Sequence, residues 1–380
     1  MGKFGRPNHV KIDPLAYNIC LLGESKVGKT TLIREVCEQL VGNDGYMFLE
    51  CGQERGADAI EGITYVNCPE WQMDYDEATN SAGFEDVCDD IIDNKTTEYA
   101  DLKVVIIDTY DQLIDMAEIE AIRLWNKENP DKRTSSINAA WGGFGKGDKK
   151  AIELMFNKIA ELRNVGVSTI IIGHIKTKNV TDPVTGETYQ TLTSDQQQNY
   201  FNALKKNLHF LGLAYIDRQI VKEKTGKKNI VTGKEESVNK VKGEARKIKF
   251  RDDNFCVDSG SRFAQIVEEI DLDAGQFIQA LTDAIKAEQS KSGKSFEESK
   301  AEQEKAEAEN LKQIAKNEEN KRNAKALENV ISEITAFIKD NKSNLDVLKP
   351  ILAAVKEMGY DNPTKIDNLE DANKVLKMIK

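Results

Sequence analysis

The chain has 380 residues, 39% of them hydrophobic and 31% charged, with a formal net charge of −11. That length supports one sizeable core plus one or two smaller units, and the charge content predicts a strongly solvated segment beside the core. No apolar run approaches the ~18 residues needed to span a membrane, and the acidic global field repels polynucleotides, so a nucleic-acid partner would need local basic patches.

The start, MGKFGRPNHV, lacks an apolar signal core, and Arg6 stands where a myristoylation site needs Ser or Thr. Candidate strands follow at NICLLG (18–23), YMFLEC (46–51), ITYVN (63–67), KVVIID (103–108), STIIIGH (168–174) and LGLAYIDRQIV (211–221). Their near-continuous apolar character suits strands covered on both faces. Between them, TTLIREVCEQLV and KKAIELMFNKIAELRNVG carry helical spacing, the second closing at Gly166. This alternation predicts an α/β fold with a mainly parallel sheet.

Residues 1–14 read as an N-terminal extension and 15–285 as the core, with a basic hairpin insertion at 222–251. Lys, Glu, Ala, Gln and Asn dominate 286–326, which predicts a charged linker or solvated helix, with an oligomerising coiled coil as the minor alternative. Apolar periodicity resumes over 327–380, a small helical C-terminal domain with turns at Asn344, Gly359 and Pro363. Cys20, Cys37, Cys51, Cys68, Cys88 and Cys256 include no C-x-x-C pair, which reads as reduced packing residues in an intracellular, soluble protein.

Residues 23–30, GESKVGKT, match G-x-x-x-x-G-K-[ST] between a strand and a helix. Gly23 and Gly28 let the backbone wrap an anion. The amides of Glu24, Ser25, Lys26, Val27 and Thr31 would then turn toward it. Lys29 supplies charge between the outer phosphates of a nucleotide, and Thr30 offers a hydroxyl to Mg²⁺. Asp108, ending an apolar strand, is the expected second metal-site residue, with Asp111 the weaker competitor. A strand-end Asp is otherwise a helix cap. Glu50, Gln53 and Glu54 follow the second strand as candidates for orienting water, and Glu54, past the flexible Gly52, has the reach. Surface loop charges are the alternative. His174 ends the fifth strand, where it could sense the terminal phosphate or serve the structure alone.

The order of these parts over residues 15–270 resembles the RecA-like P-loop NTPase core. In AWGGFGKGDKKAIELM and RKIKFRDDNFCVDSGSRF it is similar to phage-encoded RecA-like ATP-binding proteins of the single-strand annealing recombinase type. The resemblance implies ATP and Mg²⁺ as cofactors, a homo-oligomer (ring or filament), single-stranded DNA as partner, and the cytoplasm of a bacterial host. It places the first DNA-facing loop at 142–149 and the second at 176–198. It also makes Lys247, Lys249 and Arg251 candidates to reach a neighbouring subunit's nucleotide, against the alternative of edge-strand lysines that block aggregation. The family's catalytic Glu falls in register on Gly52, so hydrolysis is expected to be slow or served by Glu54.

Residues 222–251 hold eleven Lys or Arg against four Glu, a local net charge of +7. Lys227, Lys228, Lys240 and Lys242 there, with Lys146, Lys149, Lys150, Lys176 and Lys178 in the two loops, are candidate phosphate contacts. Trp141, Phe144 and Tyr189 are candidate stacking platforms. A solvated lysine-rich hairpin is the structural alternative. The leading expectation is an ATP-dependent recombination protein that anneals or pairs single strands. A helicase or helicase loader, a small-molecule kinase and a nucleotide-dependent scaffold compete with it. The C-terminal region is expected to meet a single-strand-binding or other replication protein.

Overall fold

The computed structural model describes residues 8–182, 185–228, 235–251, 258–342 and 344–380, with the side chains of 220, 222–228, 235–240, 242 and 345 outside that description. In chain order the elements of the first unit are β1 (Ile19–Gly23), α1 (Lys29–Val41), β2 (Tyr46–Cys51), β3 (Tyr65–Cys68), α2 (Phe84–Asp93), β4 (Val104–Asp108) and α3 (Tyr110–Glu128). There follow α4 (Lys146–Asn164), β5 (Ser168–Thr181), β6 (Thr188–Ser194), α5 (Gln198–Asn207), β7 (Phe210–Lys228), β8 (Glu235–Lys249), β9 (Gly260–Ser261), β10 (Glu269–Asp271) and α6 (Ala274–Gln289). The main sheet path runs β10-β8-β7-β1-β5-β4-β2-β3, with β6 paired to β5 and β9 to β7. From β7 to β3 all neighbours are parallel, whereas β8 and β10 join antiparallel at one edge.

Strand residues alternate between two cores because successive side chains leave opposite faces. Ile19, Leu21, Phe48, Ile106 and Ile170 pack with α1 and α6. Cys20, Leu22, Leu49, Ile107 and Ile171 pack with α2 to α5. Both faces are therefore covered, which is why the strands read as unbroken apolar runs. The thiols of Cys20, Cys37, Cys51, Cys68 and Cys88 are free and buried; Cys256 lies outside the described residues.

Several elements depart from the sequence reading. Residues 176–181 and 188–194 pair as β5 and β6 where a loop was expected, because TYQTLTS is rich in β-branched and aromatic residues set against KTKNVT. The third strand begins at Tyr65, two residues later than expected. By contrast, 286–326, expected as a charged linker or solvated helix, is helical over most of its length: α6 reaches Gln289 and α7 (Phe296–Asp340) continues through residue 326 as one helix of 45 residues.

The chain divides into two compact units, Met1–Glu307 and Ala308–Lys380, with the division inside α7. The second unit adds α8 (Leu345–Glu357) and α9 (Leu369–Ile379), whose apolar faces meet the end of α7 around Ile334, Ile351, Val355, Ile366 and Val375. Asn368 caps α9 by accepting from the Asp371 amide at 2.8 Å. Among the described residues no helix is long and apolar enough to cross a membrane.

Ile106 is fully buried in the central strand β4. Ile106→Ala should cost ~2–5 kcal/mol of unfolding free energy through lost burial and the cavity left behind. Urea unfolding measures it, and a loss below about 1 kcal/mol would contradict the two-sided packing.

Candidate phosphate-binding site

The parallel strands end along one edge, and their register sets Gly23 beside His174, Ile172 beside Asp108, and Asp108 beside Glu50. Open α/β sheets bind ligands beyond such carboxyl ends. A cleft of about 540 Å³ lies there, lined by Lys29, Thr30, Glu50, Glu54, Asp108 and Arg246 among others.

Two glycines shape the loop. A Cβ on Gly23 would stand 2.8 Å from the Ala214 carbonyl oxygen of β7, so only glycine permits that approach. Gly28 has φ 108°, and a Cβ there would lie 3.2 Å from Leu272 Cδ2 and 3.5 Å from Arg246 Nη1. Immediately afterwards α1 starts at Lys29, so its first amides face the cleft's anion position. Val27 is buried beneath the loop, while Ser25, Lys26 and Thr31 line the cleft from exposed positions. Glu24 turns away to β7, accepting from the Ile216 amide at 3.1 Å and lying 3.8 Å from Arg218.

The Lys29 ammonium, only 6% exposed, donates to the Gly23 and Glu24 carbonyls at 3.0 Å each. Burial lowers its pKa, while Asp108 and neighbouring acids pull the other way. Thr30 Oγ1 donates to Asp108 Oδ2 at 2.7 Å. Burial raises the Asp108 pKa, and that hydrogen bond and Lys29 oppose the rise.

Asp111 sits elsewhere than beside Thr30. Its Oδ2 accepts from the His174 amide at 3.0 Å and lies 2.7 Å from His174 Nδ1, and its Oδ1 accepts from Gln196 at 2.6 Å. This bond to Asp111 is the main reason the His174 pKa is raised. The chain His174–Asp111–Gln196 thus joins the strand end beside the loop to the foot of the β5–β6 hairpin.

The two glutamates after β2 differ sharply. Glu54 is half exposed, its Oε1 3.9 Å from His174 Nδ1. Glu50 is 2% exposed; Oε1 accepts from the Ala57 amide at 2.5 Å and Oε2 has no hydrogen-bond partner. Burial pushes the Glu50 carboxyl up to about 7. Gly52 leaves no space for a carboxylate at its own position, since a Cβ there would meet Gln112 Oε1 at 2.2 Å.

Helix α4 leads into β5. Lys146 and Lys149 are exposed in its first turn, and Lys150 pairs with Glu153 while lying over the Trp141 ring. Trp141 is not an open stacking platform: it is half-buried, donates to the Ala121 carbonyl at 2.9 Å and packs on Trp125. Phe144, in contrast, is fully exposed between glycines. On the hairpin Lys178 is exposed, Tyr189 is half-buried, and Lys176 donates to the Asp195 carbonyl at 2.6 Å. The side chains of Lys227, Lys228, Lys240 and Lys242 lie outside the described residues.

Strand parity separates the basic residues of β8. Lys247 is bonded to Glu269, and Lys249 is 3.5 Å from Glu268, whereas Arg251, just past the strand, contacts the Ala264 carbonyl at 3.4 Å. Arg246 leaves from the opposite face, the one carrying the buried Ile248, and reaches the phosphate loop. Sequence reading missed it. The signal lay in R-x-I-x-F over 246–250, where the apolar partners Ile248 and Phe250 mark the core-facing parity.

A strand-loop-helix wrapped around a buried lysine, with an acid two strands away in the same sheet bonded to the helix's second residue, defines a P-loop NTPase of mainly parallel α/β fold. Residues 15–243 match the AAA domain family, and the chain belongs to it. No curated protein matches the chain. Among solved structures, it is similar to a KaiC-like protein from the hyperthermophilic archaeon Pyrococcus horikoshii at 13% identity, covering 62% of this chain and 77% of that one with a TM-score of 0.30.

Glu50 ties the site to stability. Its carboxyl titrates near 4.5 when unfolded and near 7 when folded, so between those values the folded state binds more protons and loses stability as pH rises. Glu50→Gln removes the ionisation and should stabilise the nucleotide-free protein at pH 8 by on the order of 1–3 kcal/mol, with little change near pH 4.5. Thermal unfolding across that range is the check; a variant destabilised equally at both ends would refute it.

Proposed function

We propose that the protein binds ATP with magnesium and acts in DNA recombination, holding single strands as an oligomer and promoting annealing or strand pairing. The residues at the cleft fit a nucleotide: a glycine cradle that a Cβ would fill, a buried ammonium met so far by carbonyls, and an orphaned carboxylate oxygen on Glu50. Among the described residues no cluster of three His, Cys, Asp or Glu stands ready to hold a metal alone. Magnesium would therefore need phosphate oxygens beside Thr30 and Asp108.

When bound, the magnesium–nucleotide pair supplies an activated phosphoanhydride. Lys29 would offset charge on the outer phosphates, and Thr30 and Asp108 would hold the metal. Glu50, with a pKa near neutrality and a free Oε2, is better suited than Glu54 to take a proton from water. His174, braced by Asp111, can report the outer phosphate to the hairpin through Gln196.

The observation that carries the DNA reading is Phe144. It is fully exposed on a glycine loop and close in the chain to the exposed Lys146 and Lys149, an aromatic face beside cations of the kind on which single-stranded bases stack. ATP then acts as a conformational ligand that favours the DNA-competent oligomer. The reading also puts the protein in the cytoplasm of a phage-infected bacterium and assigns the C-terminal unit to a replication partner. A helicase or helicase loader is the second reading, because Glu50 offers the hydrolytic base that the sequence register withheld at Gly52.

Annealing of complementary oligonucleotides should be accelerated by wild type with ATP. Lys29→Ala should lose calorimetrically detected nucleotide binding and any ATP-dependent stimulation, and identical behaviour of the two proteins would remove ATP from the mechanism. Phe144→Ala should weaken single-strand binding by roughly tenfold, one stacked base. Lys146→Ala with Lys149→Ala should instead reduce the slope of log affinity against log salt by about 1.4. Fluorescence anisotropy across a salt series separates these effects, and unchanged affinity and slope would place DNA elsewhere.

A further inference from the structure

We infer that Arg246 is a phosphate-binding residue of its own subunit's site, clamping the nucleotide's phosphate tail from the side opposite Glu50. The inference rests on the nucleotide reading of the cleft and adds to it a cationic contact delivered in cis from the antiparallel edge of the sheet.

Four observations carry it. Arg246 lines the same cleft as Lys29 and Thr30, and its Nη1 stands 3.5 Å from where a Cβ on Gly28 would be. Its guanidinium has no hydrogen bond or ion pair among the described residues, whereas Arg218, Lys247 and Lys249 on the same strand pair face carboxylates. Its backbone is fixed: β8 pairs Arg246 with Ile216 of β7, and the Arg246 carbonyl accepts from the Leu272 amide at 2.9 Å. Strand β7 is itself tied to the loop, through the Ile216 amide on Glu24 and the Glu24 amide on the Ala214 carbonyl.

An arginine anchored at its backbone, unpaired at its head and set against the glycine of a phosphate loop is built to meet an anion. Its planar fork suits phosphate oxygens in a way a lysine does not reproduce. An anion held between Lys29 and Arg246 would bridge the loop to β8, so occupancy of the site would load the strand from which the basic hairpin extends. Lys247 and Lys249 leave the strand on the other face and cannot share this contact.

Calorimetry in magnesium buffer with an unhydrolysable ATP analogue and with ADP tests the proposal on wild type, Arg246→Ala, Arg246→Lys and Lys29→Ala. Arg246→Ala should bind the analogue about tenfold or more weakly, the loss of one charge-assisted contact, and Arg246→Lys should recover only part. A loss confined to the analogue assigns the guanidinium to the terminal phosphate, and an equal loss with ADP assigns it to the inner pair. An equimolar mixture of Arg246→Ala and Lys29→Ala should stay weak, since neither chain then has both groups. Wild-type affinity in Arg246→Ala, or recovery on mixing, overturns the inference, the latter by showing action in trans. No binding by wild type would instead sink the nucleotide reading itself.

Discussion

Burying the Lys29 ammonium costs free energy unless hydrogen-bond acceptors replace the water it loses. The fold supplies them from the backbone itself, as the Gly23 and Glu24 carbonyls turn inward where β1 breaks into the loop. That turn exists only because Gly23 lets β7 approach within contact and Gly28 takes a left-handed conformation. The position of the charge therefore dictates the spacing of β1 and β7, the start of α1 and the aim of its first amides. Asp108 completes the arrangement through Thr30, one parallel strand beyond β5.

The sheet turns this local device into a site with several inputs. Because β2, β4, β5 and β1 are parallel and in register, Glu50, Asp108, His174 and Gly23 emerge on one edge. Each has a different task imposed by its surroundings. Asp108 is neutralised in part by Thr30 and Lys29, Glu50 is desolvated with one oxygen left over, and His174 is gripped by Asp111. The Asp111–Gln196 bond and the Ile216–Glu24 bond lead from that edge into the two hairpins. Both hairpins thus have a physical path to the cleft.

Parity explains why one basic strand serves two purposes. Along β8, alternate residues face opposite sides, so Ile248 enters the core beneath α1 while Lys247 and Lys249 turn to Glu269 and Glu268. For either lysine to reach a neighbouring subunit it must first give up that carboxylate. Among the described residues Arg246 has no such tie, and it stands on the loop side.

The chain's order alone determined the phosphate loop, the strand-end Asp108, the buried character of the strands and the basic composition of 222–251, because each is a local pattern: a motif, an apolar run, a charge count. What needed the folded molecule were relations between distant residues. Glu50 was indistinguishable from Glu54 in LECGQERG, since burial and the Ala57 amide come from the chain's return over the strand end. Asp111 became a brace for His174 only when β5 lay beside α3. Trp141 ceased to be an open platform when Ala121 and Trp125 came to cover it, and Arg246 gained meaning when the antiparallel edge brought position 246 against Gly28. Sequence fixes which groups are present and how they alternate; long-range pairing alone sets which of them lose water and which face one another, and electrostatic roles follow from that.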